Sequence, residues 1–333
     1  MGLRDLTVLS TSYNKLEHVD SFLSQVKTLR SNGCNLVVID DGSTDGSFEL
    51  LESAAALHDF MLIRTENKGS AAARNRALME AKSDYFLFLD LDDALNIEAL
   101  IRVFHLTKFH NADISTANFR TFPEVSYGSM PVKVNAPTLF DMKEIRSNFF
   151  DVVGYWRSIY NSKILKESGI RFLPTFEELD NNFFILDDLY WLAQVSALDI
   201  RVLIFPPDTY LYEYFRPVDS EEAWKRYLTQ LTFMTKANSI LLTEASGNHR
   251  IDYFWLQRTS NEFLYQHLKF LNLSFGKQIL IDFRKYLIKF NINAGIVGIL
   301  KSELMVLKLL IHFTLTSFKI RKIYQSFKRI LRK

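Results

Sequence analysis

Three carboxylates crowd the end of one apolar run, Phe86-Leu87-Phe88-Leu89-Asp90-Leu91-Asp92-Asp93. Like charges this close repel one another unless a cation lies among them. A divalent ion such as Mg²⁺ or Mn²⁺ relieves the repulsion, because hard cations take oxygen ligands and commonly share them with phosphates. Metal and phosphate together point to a nucleotide. A plain acidic turn before a helix would need one such residue as a cap, not three.

Two further apolar runs end in polar clusters. Leu36-Val37-Val38-Ile39 leads into Asp40-Asp41-Gly42-Ser43-Thr44-Asp45, which by itself reads as a turn. Leu6-Thr7-Val8-Leu9 leads into Ser10-Thr11-Ser12-Tyr13-Asn14. Between the second and the acidic run lies Asn67-Lys68-Gly69-Ser70-Ala71-Ala72-Ala73-Arg74-Asn75, which opens a helix.

The elements that must position these residues follow from periodicity. Strands are expected at Thr7–Ser10, Leu36–Asp40, Met61–Arg64, Tyr85–Leu89 and Ala112–Thr116, and helices at Leu16–Leu29, Gly46–Ala56, Ser70–Lys82 and Ile97–His110. Such alternation predicts an α/β fold with a mostly parallel sheet flanked by helices. Ligands bind such sheets beyond the carboxyl ends of the strands, where all three polar clusters fall. From Ala117 to Asn148 the pattern loosens into irregular strands and loops. A helix is expected at Phe183–Ala197, a strand at Ile200–Phe205 and an extended aromatic segment at Thr209–Phe215. After Pro217 helical spacing runs to the end, which places a domain boundary near Val218–Glu221. The first domain, 1–218, divides into a half at 1–116 and a half at 117–218. Residues 219–333 form a helical appendage.

In order and spacing these motifs resemble glycosyltransferase family 2, the inverting nucleotide-sugar enzymes with the GT-A fold, from about Leu6 to Arg216. The resemblance implies a GT-A domain and a sugar transferred from a nucleotide sugar, most often a UDP-sugar, to a glycan or lipid-linked saccharide. It makes Asp92 the main metal ligand, Asp93 a helper and Asp90 a ribose contact. It puts Thr11, Tyr13 and Asn14 around the base and Asp41 on the uracil ring N–H, where an anionic acceptor forms a charge-assisted bond. Asn67 marks the turn before Arg74, a nucleotide contact, and Arg216 is a diphosphate contact. Asp188, in Leu186-Asp187-Asp188-Leu189, becomes the base that deprotonates the acceptor hydroxyl. The family usually has Glu where Asp187 stands. Trp156–Tyr160 and Ile170–Phe172 resemble its acceptor-side segment. A sugar nucleotidyltransferase would need a Gly-rich loop after the first strand, which Ser10–Asn14 does not supply. A non-catalytic binding scaffold would not need both metal and base residues.

The 333 residues are 48% hydrophobic and 23% charged, a globular composition, and a net charge of +2 argues against a nucleic-acid binder. The single cysteine, Cys34, excludes an internal disulfide and suits a reducing compartment, the cytoplasm. Met1-Gly2-Leu3-Arg4-Asp5 lacks an apolar signal core. Ala294–Phe318 is interrupted by Lys301, Glu303, Lys308 and His312, against a spanning helix. Lys319–Lys333 holds seven Lys or Arg and no acid, with Ile320, Ile323, Phe327 and Ile330 at helical spacing. A basic amphipathic helix over 318–333 suits peripheral contact with the inner face of a membrane or a solvated packed helix. The apolar helices after Glu221 suit packing on the first domain or on a second copy of the chain. The seven histidines are scattered without metal-ligand spacing.

Overall fold

The computed structural model describes residues 2–122, 134–145, 154–172, 191–192 and 194–215. The expected helix at 183–197 falls mostly outside them, as do the boundary near 218–221 and the helical appendage.

The first half follows the expected alternation. β1 (Leu6–Ser12), α1 (Leu16–Ser31), β2 (Asn35–Asp40), α2 (Ser47–His58), β3 (Met61–Arg64), α3 (Ser70–Glu80) and β4 (Tyr85–Phe88) follow in order. β1 pairs in parallel with β2 on one side and β4 on the other, and β2 pairs in parallel with β3. The strand order 3-2-1-4 therefore reverses direction between β1 and β4. That switch point opens a crevice at the carboxyl ends of these two strands.

Helix faces explain the layering. In α1 the buried residues are Val19, Phe22, Val26 and Leu29, a stripe of three- and four-residue steps. In α3 the buried face carries Ala71, Ala73 and Ala77, whose small side chains let the helix lie close over β1 and β2. The core gathers Val8, Leu36, Val38, Leu87 and Leu89 from the sheet with Phe22, Val26 and Phe104 from the helices.

Beyond β4 the chain adds β5 (Asp93–Leu95), α4 (Ile97–His110), β6 (Ile114–Thr116), β7 (Asn118–Phe122), β8 (Thr138–Asp141) and the short α5 (Met142–Ile145). β9 (Ser158–Asn161), α6 (Ser162–Ser168), β10 (Arg201–Ile204) and β11 (Tyr210–Phe215) follow. The large sheet has eight strands in the order β3-β2-β1-β4-β9-β6-β10-β8 among the described residues. Its parallel character breaks at β9, which pairs antiparallel with both β4 and β6, and at β8, antiparallel to β10. β9 was not expected as a strand. Its Ser158, Ile159 and Tyr160 are all buried, so no alternation marks it. β5, β11 and β7 form a second sheet of three strands.

No helix among the described residues is long and apolar enough to cross a membrane. Cys34 is fully buried and free, and burial pushes its thiol up to about 12.

Candidate active site at the β1–β4 switch point

The loops after β1 and β2 are stapled together. Asn14 takes a left-handed φ of 51°, which an asparagine tolerates better than most residues. Its N–H donates to Ser43 Oγ at 3.0 Å, and its Oδ1 accepts from Thr44 N–H at 2.9 Å. Thr11 is half-buried and Tyr13 is 44% exposed, open to a ligand beyond the strand end. Asp40, fully buried, accepts from both N–H and hydroxyl of Ser43 and so closes the turn. Gly42 has φ +78°, and a Cβ there would come within 3.1 Å of Asn67 N. Only glycine lets these two loops approach so closely.

Asp41 organises the opposite loop. Its Oδ1 accepts from Lys68 N–H at 3.0 Å and Thr65 Oγ1 at 3.1 Å, and its Oδ2 accepts from Gly69 N–H at 2.8 Å. It is 3% exposed, and burial raises its carboxyl above the ordinary range despite these bonds. A carboxylate has about four acceptor positions. Three are filled by the protein, so a ring N–H would share an acid whose first task is to shape residues 65–69. Asn67 stands exposed on that loop.

The acidic run divides into different environments. Asp90 and Asp92 keep 31% and 34% of their side chains open. Asp92 forms an ion pair with Lys15, the residue that leads into α1. Asp90 faces Arg74, with 3.7 Å between Nη2 and Oδ2. Burial raises Asp90, Arg74 opposes the rise and Asp92 adds to it. Asp93 is 7% exposed, and its carboxyl is pushed up to about 8 by burial and by Asp90 and Asp92. The Tyr212 hydroxyl accepts from Asp90 N–H at 3.2 Å and donates to the Asp93 carboxyl. Asp93 Oδ1 is buried without a hydrogen-bond partner among the described residues.

Three residues that sequence reasoning missed hold this run. Tyr212 lies on β11, which pairs antiparallel with β5, and supports the acids from behind. Gln25 of α1 donates to Asp93 O at 2.9 Å and accepts from Leu95 N–H at 2.8 Å, which fixes β5 at both ends. Lys15 supplies the charge opposite Asp92. The one available signal was the aromatic run Tyr212-Glu213-Tyr214, whose alternation marks a half-buried strand. No local pattern marks Gln25 or Lys15.

Arg74 is 7% exposed, seated 4.7 Å above the Tyr155 ring and 5.5 Å from Phe172, so its guanidinium is held in place before any ligand arrives. Arg76 pairs instead with Glu80 one turn along the helix. Asp187, Asp188 and Arg216 lie outside the described residues.

Whether these residues suit a divalent ion is a matter of donor chemistry. No group of three or more His, Cys, Asp or Glu converges as a metal cage among the described residues. Asp90 and Asp92 nevertheless offer hard oxygen donors at the crevice, and Asp93 Oδ1 is an unsatisfied oxygen beside them. Two carboxylates suit Mg²⁺ or Mn²⁺, which take their other ligands from phosphate and water. The residues fit the ion, with Asp92 and Asp90 better placed to hold it than the interior Asp93.

The sequence over residues 7–168 matches the model of glycosyl transferase family 2. The domain over these residues belongs to that family. Its relatives include the teichoic acid poly(glycerol phosphate) polymerase of Staphylococcus epidermidis, 30% identical over 207 residues, 61% of this chain and 28% of that protein. The poly(ribitol-phosphate) beta-glucosyltransferase of Bacillus spizizenii is 25% identical over 211 residues, 58% of this chain and 32% of that protein. The chain spans about a third of the length of these curated relatives. Among solved structures, TarS 1–349 of S. aureus, crystallised with UDP-GlcNAc, superposes with a TM-score of 0.61 at 17% identity, covering 86% of this chain and 81% of that one. The mannosyltransferase PcManGT from Pyrobaculum calidifontis, solved with GDP-Man and Mn²⁺, gives 0.52 at 14% identity, covering 96% and 88%. The fold of this family 2 domain is GT-A, as the sequence implied.

Proposed function

We propose that the protein is an inverting glycosyltransferase that moves a sugar from a UDP-sugar to a hydroxyl of a glycan or lipid-linked acceptor. The observation that carries the reading is the meeting of Asp90, Asp92, Lys15 and Arg74 at the β1–β4 switch point of a family 2 domain. Relatives named for teichoic acid polymers and for a poly(ribitol-phosphate) glucosyl transfer support a place in cell-wall or surface-polymer synthesis. TarS structures with UDP-GlcNAc and UDP support uridine as the nucleotide.

In this reading Tyr13, Asn14 and Asp41 surround the base, and Asp90 with Arg74 orients the ribose and phosphate side. Asp92, helped by Asp90, would hold Mn²⁺ or Mg²⁺. Such an ion would supply Lewis-acid charge neutralisation for the leaving diphosphate. Asp188 takes the proton from the acceptor hydroxyl as that oxygen attacks the anomeric carbon. The new C–O bond forms opposite the breaking bond to UDP, which inverts the configuration. Residues 318–333 would dock on an anionic membrane face and bring the domain to lipid-linked acceptors.

Calorimetric titration of UDP into the full chain, with Mn²⁺ and then with EDTA, tests the reading. Metal-dependent binding is expected. Binding unchanged by EDTA would remove Asp92 as a metal ligand, and no UDP binding by folded protein would overturn the donor assignment.

A further inference from the structure

Asn75, one residue beyond Arg74 on α3, makes a contact that neither packing of its helix nor ligand binding requires. Its Nδ2 donates to Phe172 O at 2.9 Å, and its Oδ1 accepts from Phe172 N–H at 2.8 Å. One side-chain amide thus satisfies both backbone groups of a residue 97 positions away, as a neighbouring strand would. Phe172 is fully buried, and leaving either group unpaired there would be costly.

The contact matters because of what Phe172 supports. Its ring packs edge-on against Tyr155 and against Phe88, the last residue of β4, and stacks on Trp191 with centroids 4.5 Å apart. Tyr155 and Phe172 together form the seat under the Arg74 guanidinium. Arg74 in turn faces Asp90, two residues beyond Phe88. A closed circuit results: Asn75 fixes the Phe172 backbone, Phe172 and Tyr155 fix Arg74, and Arg74 fixes Asp90. Adjacent residues of one helix hold both ends of it.

We infer that Asn75 is a positioning residue for the donor site, setting the Arg74–Asp90 pair through the backbone of Phe172. The inference rests on the reading of Arg74 and Asp90 as nucleotide contacts. It goes beyond that reading by assigning a role to a residue whose side-chain amide is committed to the Phe172 backbone rather than to the acids.

The experiment is a double-mutant cycle of Asn75→Ala and Phe172→Leu in the full chain, read as the Kd for UDP with Mn²⁺. Each single variant weakens UDP by about five- to tenfold, the scale of one lost hydrogen bond. The double variant weakens it no further than the worse single one, because both break the same circuit. Arg76→Ala, on the same helix with its own surface partner, leaves UDP affinity unchanged. Thermal unfolding by circular dichroism confirms that each variant is folded. Deuterium exchange at the peptide holding Phe172 rises in Asn75→Ala, and this reads the clamp without any ligand. Additive losses, or normal UDP affinity in a less stable Asn75→Ala, would reduce Asn75 to a structural residue while leaving the donor reading intact. Absence of UDP binding in the unsubstituted protein would overturn both.

Discussion

A single hydroxyl, that of Tyr212, joins the last described strand to the acids of the site. It accepts from Asp90 N–H and donates to Asp93, and its own ring is fully buried. Tyr212→Phe keeps the ring and removes both bonds. A half-buried N–H and the buried Asp93 carboxyl then lose a partner, at a cost of about 1 kcal/mol or more. Urea unfolding should show that loss, and UDP affinity should fall with it because Asp90 is no longer anchored. Unchanged stability would mean that the hydroxyl is replaced by water and that Tyr212 does not organise the motif. At this scale the sequence was partly readable. Three acids after an apolar strand are visible in any reading, but their division into two open groups and one interior group is not. That division depends on Tyr212 and Gln25, which lie 122 and 68 positions from the residues they hold.

Amphipathic helices and continuous apolar strand runs were legible, the interior strands β1, β2 and β4 among them. α1 and α4 repeat apolar residues at helical steps, so both were placed to within two residues of their ends. α4 also carries a readable start. The Asn96 side chain accepts from Ala99 N–H at 3.0 Å, which satisfies one of the free donors of the first turn. Asn96→Ala should therefore cost about 1 kcal/mol. Thermal unfolding should register it with UDP affinity unchanged, since Asn96 lies outside the crevice. A loss of UDP binding would instead show that α4 and β5 move together. β9 and β5 escaped the reading for a different reason. Both are short, and their pairing is set by partners distant in sequence, β4 and β6 for one and β11 for the other. Periodicity reports which face of an element is buried, not which strand lies beside it.

Across the whole molecule, the site concentrates carboxyl groups that folding makes harder to ionise. Burial raises Asp41 and Asp90, and burial with its acid neighbours pushes Asp93 up to about 8. A carboxyl raised by folding stays protonated in the native state while the unfolded chain has already released its proton. The native state then holds more protons, and stability falls as pH rises. The stabilising contribution is complete below the ordinary carboxylate range and is lost on the way up to about pH 8 for Asp93. Each such group alone sets a slope of at most about 1.4 kcal/mol per pH unit. Asp45 titrates in the opposite sense. Burial pushes it up, but hydrogen bonds from Ser47 and Leu16 outweigh burial, so its effect falls below the ordinary range, outside this window. The ligand-free chain should therefore resist urea better at about pH 5 than at about pH 8. Asp93→Asn cannot ionise and should flatten that dependence while raising stability at the upper end. A midpoint that climbs with pH, or a slope that Asp93→Asn leaves unchanged, would mean that Asp93 is ionised in the native state. The acidic run would then need a permanent cation, and Lys15 and Arg74 would be its balance even without a ligand.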